Sequence, residues 1–572
     1  MTPLSELTIT SEQVNSLPLL LGIIMDMGIP DIIDTHVIPH GNRDGASVGT
    51  VVSIWLSHIL QERDHTMVAV RDWAADHAQT INALLNITLR DTDCTDDRLA
   101  SILTLLGDPE TQAVLDASLL QHWMRVYRLP TETVRLDSTS VSVYHDDVAD
   151  DSSLQHGWSK DHRPDLRQFK LMLATLDPLG LPISCQSVAG NRSDNPLYIP
   201  AYDAAVAALG TTDVLIVGDS KMTDLSTRGH IVIHGSRYLG PYRPIHATAE
   251  IAGWVDAALG RAEAWVKIET LDRRTGEVQL NAVVDPFERS QTWVDPTTQQ
   301  THTWTERVLV ARATAYQDGQ RRLREQALAR LTTDLLKLAQ PPTRGRKHYL
   351  QEADLAEVVT KRIAEAKLDG VVQTALEPVA LRNGSTAWIV AGVWVALGAW
   401  KAMGDRLGWQ IYVTNATPEQ YDVRALVASY HQQPVHERSF SRIKTRNLHV
   451  RPVFVRDETR ISGLVWLLCL ALRVLVLTEQ RLRAAMQEQG IKLVGLNPAS
   501  RTQTTSTPTS ERVIRAFRNL TVTVVSGVGW EQRHVTALNA TQQQILALLG
   551  LPSDLYARLG QPPGNLTLQM RE

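Results

Sequence analysis

The chain has 572 residues, with 57 Lys and Arg against 62 Asp and Glu, a formal net charge of −5, and 43% hydrophobic and 21% charged residues. This ordinary globular balance excludes a small stapled scaffold, and at roughly 150 residues per domain the length suggests about three or four compact units. Cys94, Cys185 and Cys469 lie far apart without any C-x-x-C pair, which excludes a disulfide framework and a structural zinc site. The opening MTPLSELTIT has neither a basic nor an apolar leader segment, so a cytoplasmic location is expected.

In chain order, residues 1–130 read as helical, with apolar spacing in LPLLLGIIMDMGIPDII, VGTVVSIWLSHILQ and DDRLASILTLLG, where Asp96 or Asp97 is a candidate cap. From about 133 the period changes to the alternation of a strand in TVRLDSTSVSVY. Further strands are expected at 168–176, 181–189, 213–218 and 230–234, with a helix at 196–209. Strands interrupted by a helix imply a mixed α/β sheet, here assigned to 131–244. Residues 245–405 carry short strand-like runs and a polar helical stretch near 317–338, and read as an inserted domain. The sheet pattern resumes at WQIYVTN and helices follow, giving a second core segment at 406–495. Within it, 461–477 is apolar but short for a membrane span and contains Arg473, so a buried core helix is expected. A turn-rich linker then leads into the C-terminal region, 496–572.

No P-loop, H-E-x-x-H or G-x-S-x-G motif is present, which removes the commonest nucleotide, zincin and hydrolase readings. What remains are acids at strand ends. Asp137 lies within the strand-like RLDSTSVSVY and Asp219 directly follows VLIVG, so a mixed sheet can bring both to one edge. Glu437 is a third candidate, and Lys444, seven residues on, would share its face on a regular helix. An Asp, Asp, Glu set supplies the shared oxygen ligands that two Mg²⁺ ions require. Between 438 and 460, seven basic residues face only Asp457 and Glu458, a stripe suited to phosphates.

These pieces resemble the DDE transposases of bacterial insertion sequences, in the IS-four-like superfamily with a ribonuclease H-like catalytic core. The resemblance is carried by RLDSTS, HGWSKDHRPDLRQFK, GNRSDN, VLIVGDSKM and YHQQPVHERSFSRIK, in the family's order and across most of residues 35–490. It implies that Asp137, Asp219 and Glu437 form the catalytic, metal-binding triad, holding two Mg²⁺ ions for which Mn²⁺ can substitute. The 218-residue spacing from Asp219 to Glu437 leaves room for the superfamily's insertion domain. The last family motif, Y-x-x-R-x-x-x-E-x-x-x-x-x-x-K, is met by Tyr430, Glu437 and Lys444, but Gln433 stands where Arg is expected. Gln keeps hydrogen-bond donors and loses the charge and the bidentate fork. Pro434 predicts that the glutamate helix starts there, with Tyr430 in the preceding segment.

The resemblance further implies double-stranded DNA as partner, both the terminal inverted repeats and the target. It implies a homodimer when two ends are paired, cut-and-paste transposition through a hairpin, and DNA end binding by the helical region 1–130. Tyr430, Gln433, Arg442 and Lys444, with Lys160, His162 and Arg163 of the SKDHRPDLRQ loop, are the expected DNA contacts. Trp265, Trp293, Trp304, Trp388, Trp394 and Trp400 include candidate partners for an extruded base. Two alternatives stay open: a domesticated or inactive relative that only binds DNA, and a ribonuclease H-like nuclease without strand transfer.

Overall fold

A computed structural model of the chain describes residues 7–38, 44–145, 152–243, 247–271, 278–340, 348–381, 384–497, 499–500 and 502–561. It separates into two compact units, the first comprising Met1–Leu239, Trp293–His302 and Val427–Glu572, the second Gly240–Thr292 and Thr303–Leu426.

The first unit is built on five strands: Thr133–Val143, Arg167–Leu176, Leu181–Ala189, Leu215–Val217 and Arg237–Pro241. In space they run third, second, first, fourth, fifth. The first three are paired antiparallel, while the fourth is parallel to the first and the fifth to the fourth. This is the ribonuclease H-like arrangement, and it follows from the connections. A short turn joins the second and third strands, a long loop joins the first and second, and helices such as Tyr198–Leu209 and Leu225–Ile233 supply the crossovers that parallel pairing requires. Residues 230–234, expected as a strand, lie instead almost wholly in that second helix. A five-residue apolar run fits either state; here the Asp224 carboxylate caps Ser226 N at 3.1 Å and starts a helix.

Seven helices between Leu17 and Tyr127 make up the N-terminal part of this unit. The cap of Asp96–Leu106 is Thr95, whose hydroxyl accepts from Arg98 N, with Asp96 and Asp97 in the first turn. Ahead of the helices, Thr8–Glu12 forms an unexpected strand, paired antiparallel with Val522–Gly527 of the C-terminal region.

The apolar run expected as a core helix lies in Glu458–Glu488, long and apolar enough to cross a membrane by length and composition. Its most apolar window is 94% buried inside the protein. Glycine permits its closest approach: a Cβ on Gly463 would sit 2.1 Å from Leu103 O, and one on Gly107 would sit 1.8 Å from Thr459 O. Farther along, Trp466 Nε1 donates to Asp116 at 2.8 Å, and Arg473 pairs with Asp116 at 2.7 Å while donating to Pro182 O and Ile183 O. Its last third receives Arg442 on Glu479, and Arg481 donates to Leu549 O. The three cysteines are free and buried, with Cys185 Sγ donating to Val465 O at 3.8 Å.

In the second unit the strands Trp409–Thr414, Thr301–Ala313, Val278–Val294 and Val266–Leu271 follow one another. A separate hairpin, Val372–Ala380 with Thr386–Val395, lies with the helices Thr314–Leu338 and Glu352–Glu365 around a core that includes Leu331, Leu335, Leu355, Val359 and Val390.

Candidate active site

Side chains alternate along the first strand, so Arg135, Asp137 and Thr139 share one face. Each carries a polar task. Arg135, buried, donates to Asp177 Oδ2 at 2.8 Å and to Ser429 O at 2.5 Å. Asp137 accepts from Ser138 N at 2.7 Å, and Lys160 Nζ lies 3.6 Å from its Oδ1. Thr139 Oγ1 accepts from Lys444 Nζ at 3.1 Å.

The parallel fourth strand ends at Val217, two residues before Asp219, and so delivers the second acid beside the first strand. Tyr198 OH donates to Asp219 Oδ1 at 2.7 Å, and the same oxygen accepts from Lys221 N at 2.9 Å. The two carboxylates are close enough to feel each other's charge. Burial raises the pKa of Asp137, Lys160 counteracts that rise, and Asp219 adds to it. Burial and the charges of Asp219 and Asp137 push the Tyr198 hydroxyl far up, which keeps it a donor.

Glu437 is carried by the helix Gln433–Ser441, which opens with Pro434 in its first turn and follows Val423–Tyr430. His436 fixes that helix to the second strand: buried, its Nδ1 lies 2.7 Å from Thr175 Oγ1, and its ring meets Phe440 edge-on. Glu437 itself is exposed, and its Oε1 accepts from Gln433 Nε2 at 3.1 Å. The residue that replaces the motif's arginine thus holds the motif's glutamate. Lys444 does not share the outward face of Glu437. The helix gives way to a π-helical turn over Arg442–Arg446, whose wider i→i+5 spacing breaks the regular phase. Lys444 turns inward onto Thr139 and Asp161.

The other expected DNA contacts are distributed. Arg442 is buried between Glu479, at 2.5 Å, and Glu511, at 2.8 Å. Arg163 forks onto Asp165 and lies over the Tyr144 ring, and His162 takes a left-handed backbone (φ 56°) in the same loop. Tyr430 ends its helix with its ring edge-on to His431. Of the tryptophans, Trp293 lies against Gly229, Trp265 shares the Arg312 guanidinium with Trp409, and Trp394 donates to Gln373. Trp388 and Trp400 pack on the second unit's core.

Two residues beside the acids were missed in the sequence as site residues: Tyr198, and Asp194 within GNRSDN. Asp194 is buried and accepts from Lys170 Nζ at 2.5 Å and from Lys221 Nζ, with Lys160 Nζ 4.0 Å away. Burial would raise its pKa, but these ammonium groups outweigh that and hold it below the usual carboxylate range. GNRSDN is among the motifs that carry the family resemblance, but no role was attached to Asp194 within it.

Burial and the charge of Asp219 raise the cost of ionising Asp137, a cost that a divalent cation bound by both carboxylates would relieve, so Asp137 and Asp219 fit such an ion. Among the described residues, no three His, Cys, Asp or Glu are gathered as a group able to hold a metal.

The family model described as Transposase DDE domain matches residues 129–474. No curated protein matches the chain. A solved structure similar to it is the cryo-EM structure of a piggyBac transposase synaptic complex with hairpin DNA, at 8% identity and a TM-score of 0.32, over 87% of this chain and 79% of that one. The family match covers more than half of the sequence, strand and acid positions included, and the chain belongs to the transposases with a DDE domain.

Proposed function

We propose that the protein excises and reinserts the insertion sequence that encodes it, by cut and paste, through the triad Asp137, Asp219 and Glu437. The observation that carries this reading is the parallel pairing of the first and fourth strands, which sets Asp137 and Asp219 within each other's electrostatic reach. Asp137 and Asp219 would hold Mg²⁺, or Mn²⁺ in its place, and Glu437 would complete the set once released from Gln433. When bound, such ions activate water and stabilise the attacking and leaving oxygens of an in-line displacement.

Tyr198 and the Lys221 amide fix the Asp219 carboxylate by donating to its Oδ1. Lys160 is the present counter-ion of Asp137 and gives way when the site is loaded. Hydrolysis breaks the bond from phosphorus to the 3′-oxygen at the element's end, and the freed 3′-OH then attacks a second phosphorus. Lys160, His162, Arg163, Tyr430 and Gln433 would meet the DNA backbone, and Lys444 would do so only on leaving Asp161. Arg442 would act from within, through Glu479 and Glu511. Pairing two ends calls for two copies of the chain, with the helices of residues 1–130 reading the repeats.

The test is cleavage and joining of labelled DNA bearing the element's own ends, in Mg²⁺. Wild type should cut and join, while Asp137→Asn, Asp219→Asn and Glu437→Gln should bind DNA without cutting. Cutting without joining would replace transposition by a nuclease activity. Binding without metal-dependent cutting in wild type would leave a DNA-binding relative.

A further inference from the structure

Asp194 has no part in the triad, yet it is the most heavily engaged carboxylate near it. It is buried, 3% exposed at the side chain, and three ammonium groups converge on it: Lys170 at Oδ1, Lys221 at Oδ2, and Lys160 at 4.0 Å from Oδ2. Lys170 is as buried as its partner and also donates to Arg192 O at 2.5 Å, which anchors the loop that carries Asp194 to the second strand. Lys160 and Lys221 are different. Their side chains are 32% and 42% exposed, and both stand at the acid pair, Lys160 3.6 Å from Asp137 and Lys221 two residues beyond Asp219.

Three like charges do not gather in one place without a common counter-ion. A buried carboxylate supplies it, and two of the three ammonium groups keep an open side. Lys221 spends one of its three N–H groups on Asp194, which leaves two donors for a further acceptor. Asp137, Asp219 and Asp194 against Lys160, Lys170 and Lys221 balance in formal charge. Loading it with a divalent cation leaves a positive excess, and the anion at that point in a DNA-cutting site is a backbone phosphodiester. Lysine suits this as a compact point charge with rotatable donors.

We propose that Asp194 is the positioning residue of a phosphate clamp, in which Lys221 and Lys160 hold the non-bridging oxygens of the phosphodiester to be cut. The clamp rests on the transposase reading above and names the substrate group that two lysines of this site take.

The experiment measures affinity for end DNA with Ca²⁺ in place of Mg²⁺, using the natural phosphate or an uncharged methylphosphonate at the cleavage position. Wild type should lose roughly tenfold in affinity on methylphosphonate DNA, the scale of a charge-assisted hydrogen bond. Lys221→Gln should bind natural DNA roughly tenfold more weakly and be indifferent to the methylphosphonate, with Lys221→Arg recovering much of the difference. Asp194→Asn should show the same indifference with both lysines still in place, a result that a merely structural role would not give. Because Asp194→Asn strands the buried Lys170 and so costs stability, Lys221→Gln, at an exposed position, carries the decision. If Lys221→Gln retains the full methylphosphonate effect of wild type, the clamp is overturned and the transposase reading stands. If wild type neither prefers end DNA nor senses the methylphosphonate, both fall.

Discussion

Acid should loosen the helix that carries Glu437 through its neighbour His436, whose side chain is 1% exposed. Burial first, then the charges of Arg135 and Lys160, press its pKa from 6.5 down to about 3. Its Nε2 has no hydrogen-bond partner, so a proton placed there would be stranded. The folded protein therefore refuses a proton that the unfolded chain accepts below pH 6.5. Stability from this group is full above 6.5 and is lost as pH falls from there toward about 3. At about 1.4 kcal/mol per pH unit, moving from pH 8 to pH 5 costs about 2 kcal/mol. Urea unfolding of wild type and His436→Gln at several pH values isolates this contribution, since the other titrating groups are common to both. The difference between the two proteins should shift by about 2 kcal/mol over that range, with wild type losing more. Parallel pH profiles would refute the assignment of a neutral, buried His436.

Arg442→Ala should cost about 3–5 kcal/mol in urea unfolding, because it leaves Glu479 and Glu511 without their buried partner; the salt dependence of DNA binding should keep its wild-type slope. Gly463→Ala drives a methyl into Leu103 O, which sits 2.1 Å from the built position, and should lower stability by at least about 1–3 kcal/mol, read as a fall in melting temperature. Tyr198→Phe removes the hydroxyl that fixes Asp219, and should slow cleavage roughly tenfold while unfolding free energy changes by about 1 kcal/mol. A cleavage rate equal to wild type would show that the Tyr198 hydroxyl does not position Asp219.

Four of the five core strands were legible because their signals are local, whereas Arg237–Pro241 was not expected and 230–234 was read as a strand. Alternation around Asp137 and the apolar run before Asp219 each announce a strand within a few residues, and the parallel pairing then places both acids. What stayed hidden depends on distance. Thr8–Glu12 has no hairpin partner nearby; its partner, Val522–Gly527, lies about 510 residues on, and nothing in the sequence links them. The basic stripe from Arg438 to Arg460 looked uniform, but Glu479 and Glu511 draw Arg442 into the interior while Asp161 takes Lys444. Helical spacing joined Glu437 to Lys444 on paper, and the π-helical turn at Arg442–Arg446 undid it. Asp194 gave no sign of its weight, since its three lysines come from three separate stretches of chain.

The helix Glu458–Glu488 has a consequence for the order of synthesis. It packs against Leu103 and Gly107 of the N-terminal helices and against Pro182 and Ile183 of the third strand, all made hundreds of residues earlier. A chain emerging from the ribosome therefore holds the apolar faces of its helices and sheet uncovered until residue 488 has been released. Contacts of such long sequence separation form slowly and leave sticky surfaces waiting. A nascent chain stalled before this helix has its acids and no finished core around them, so an ordered acid site has to wait until the helix is released.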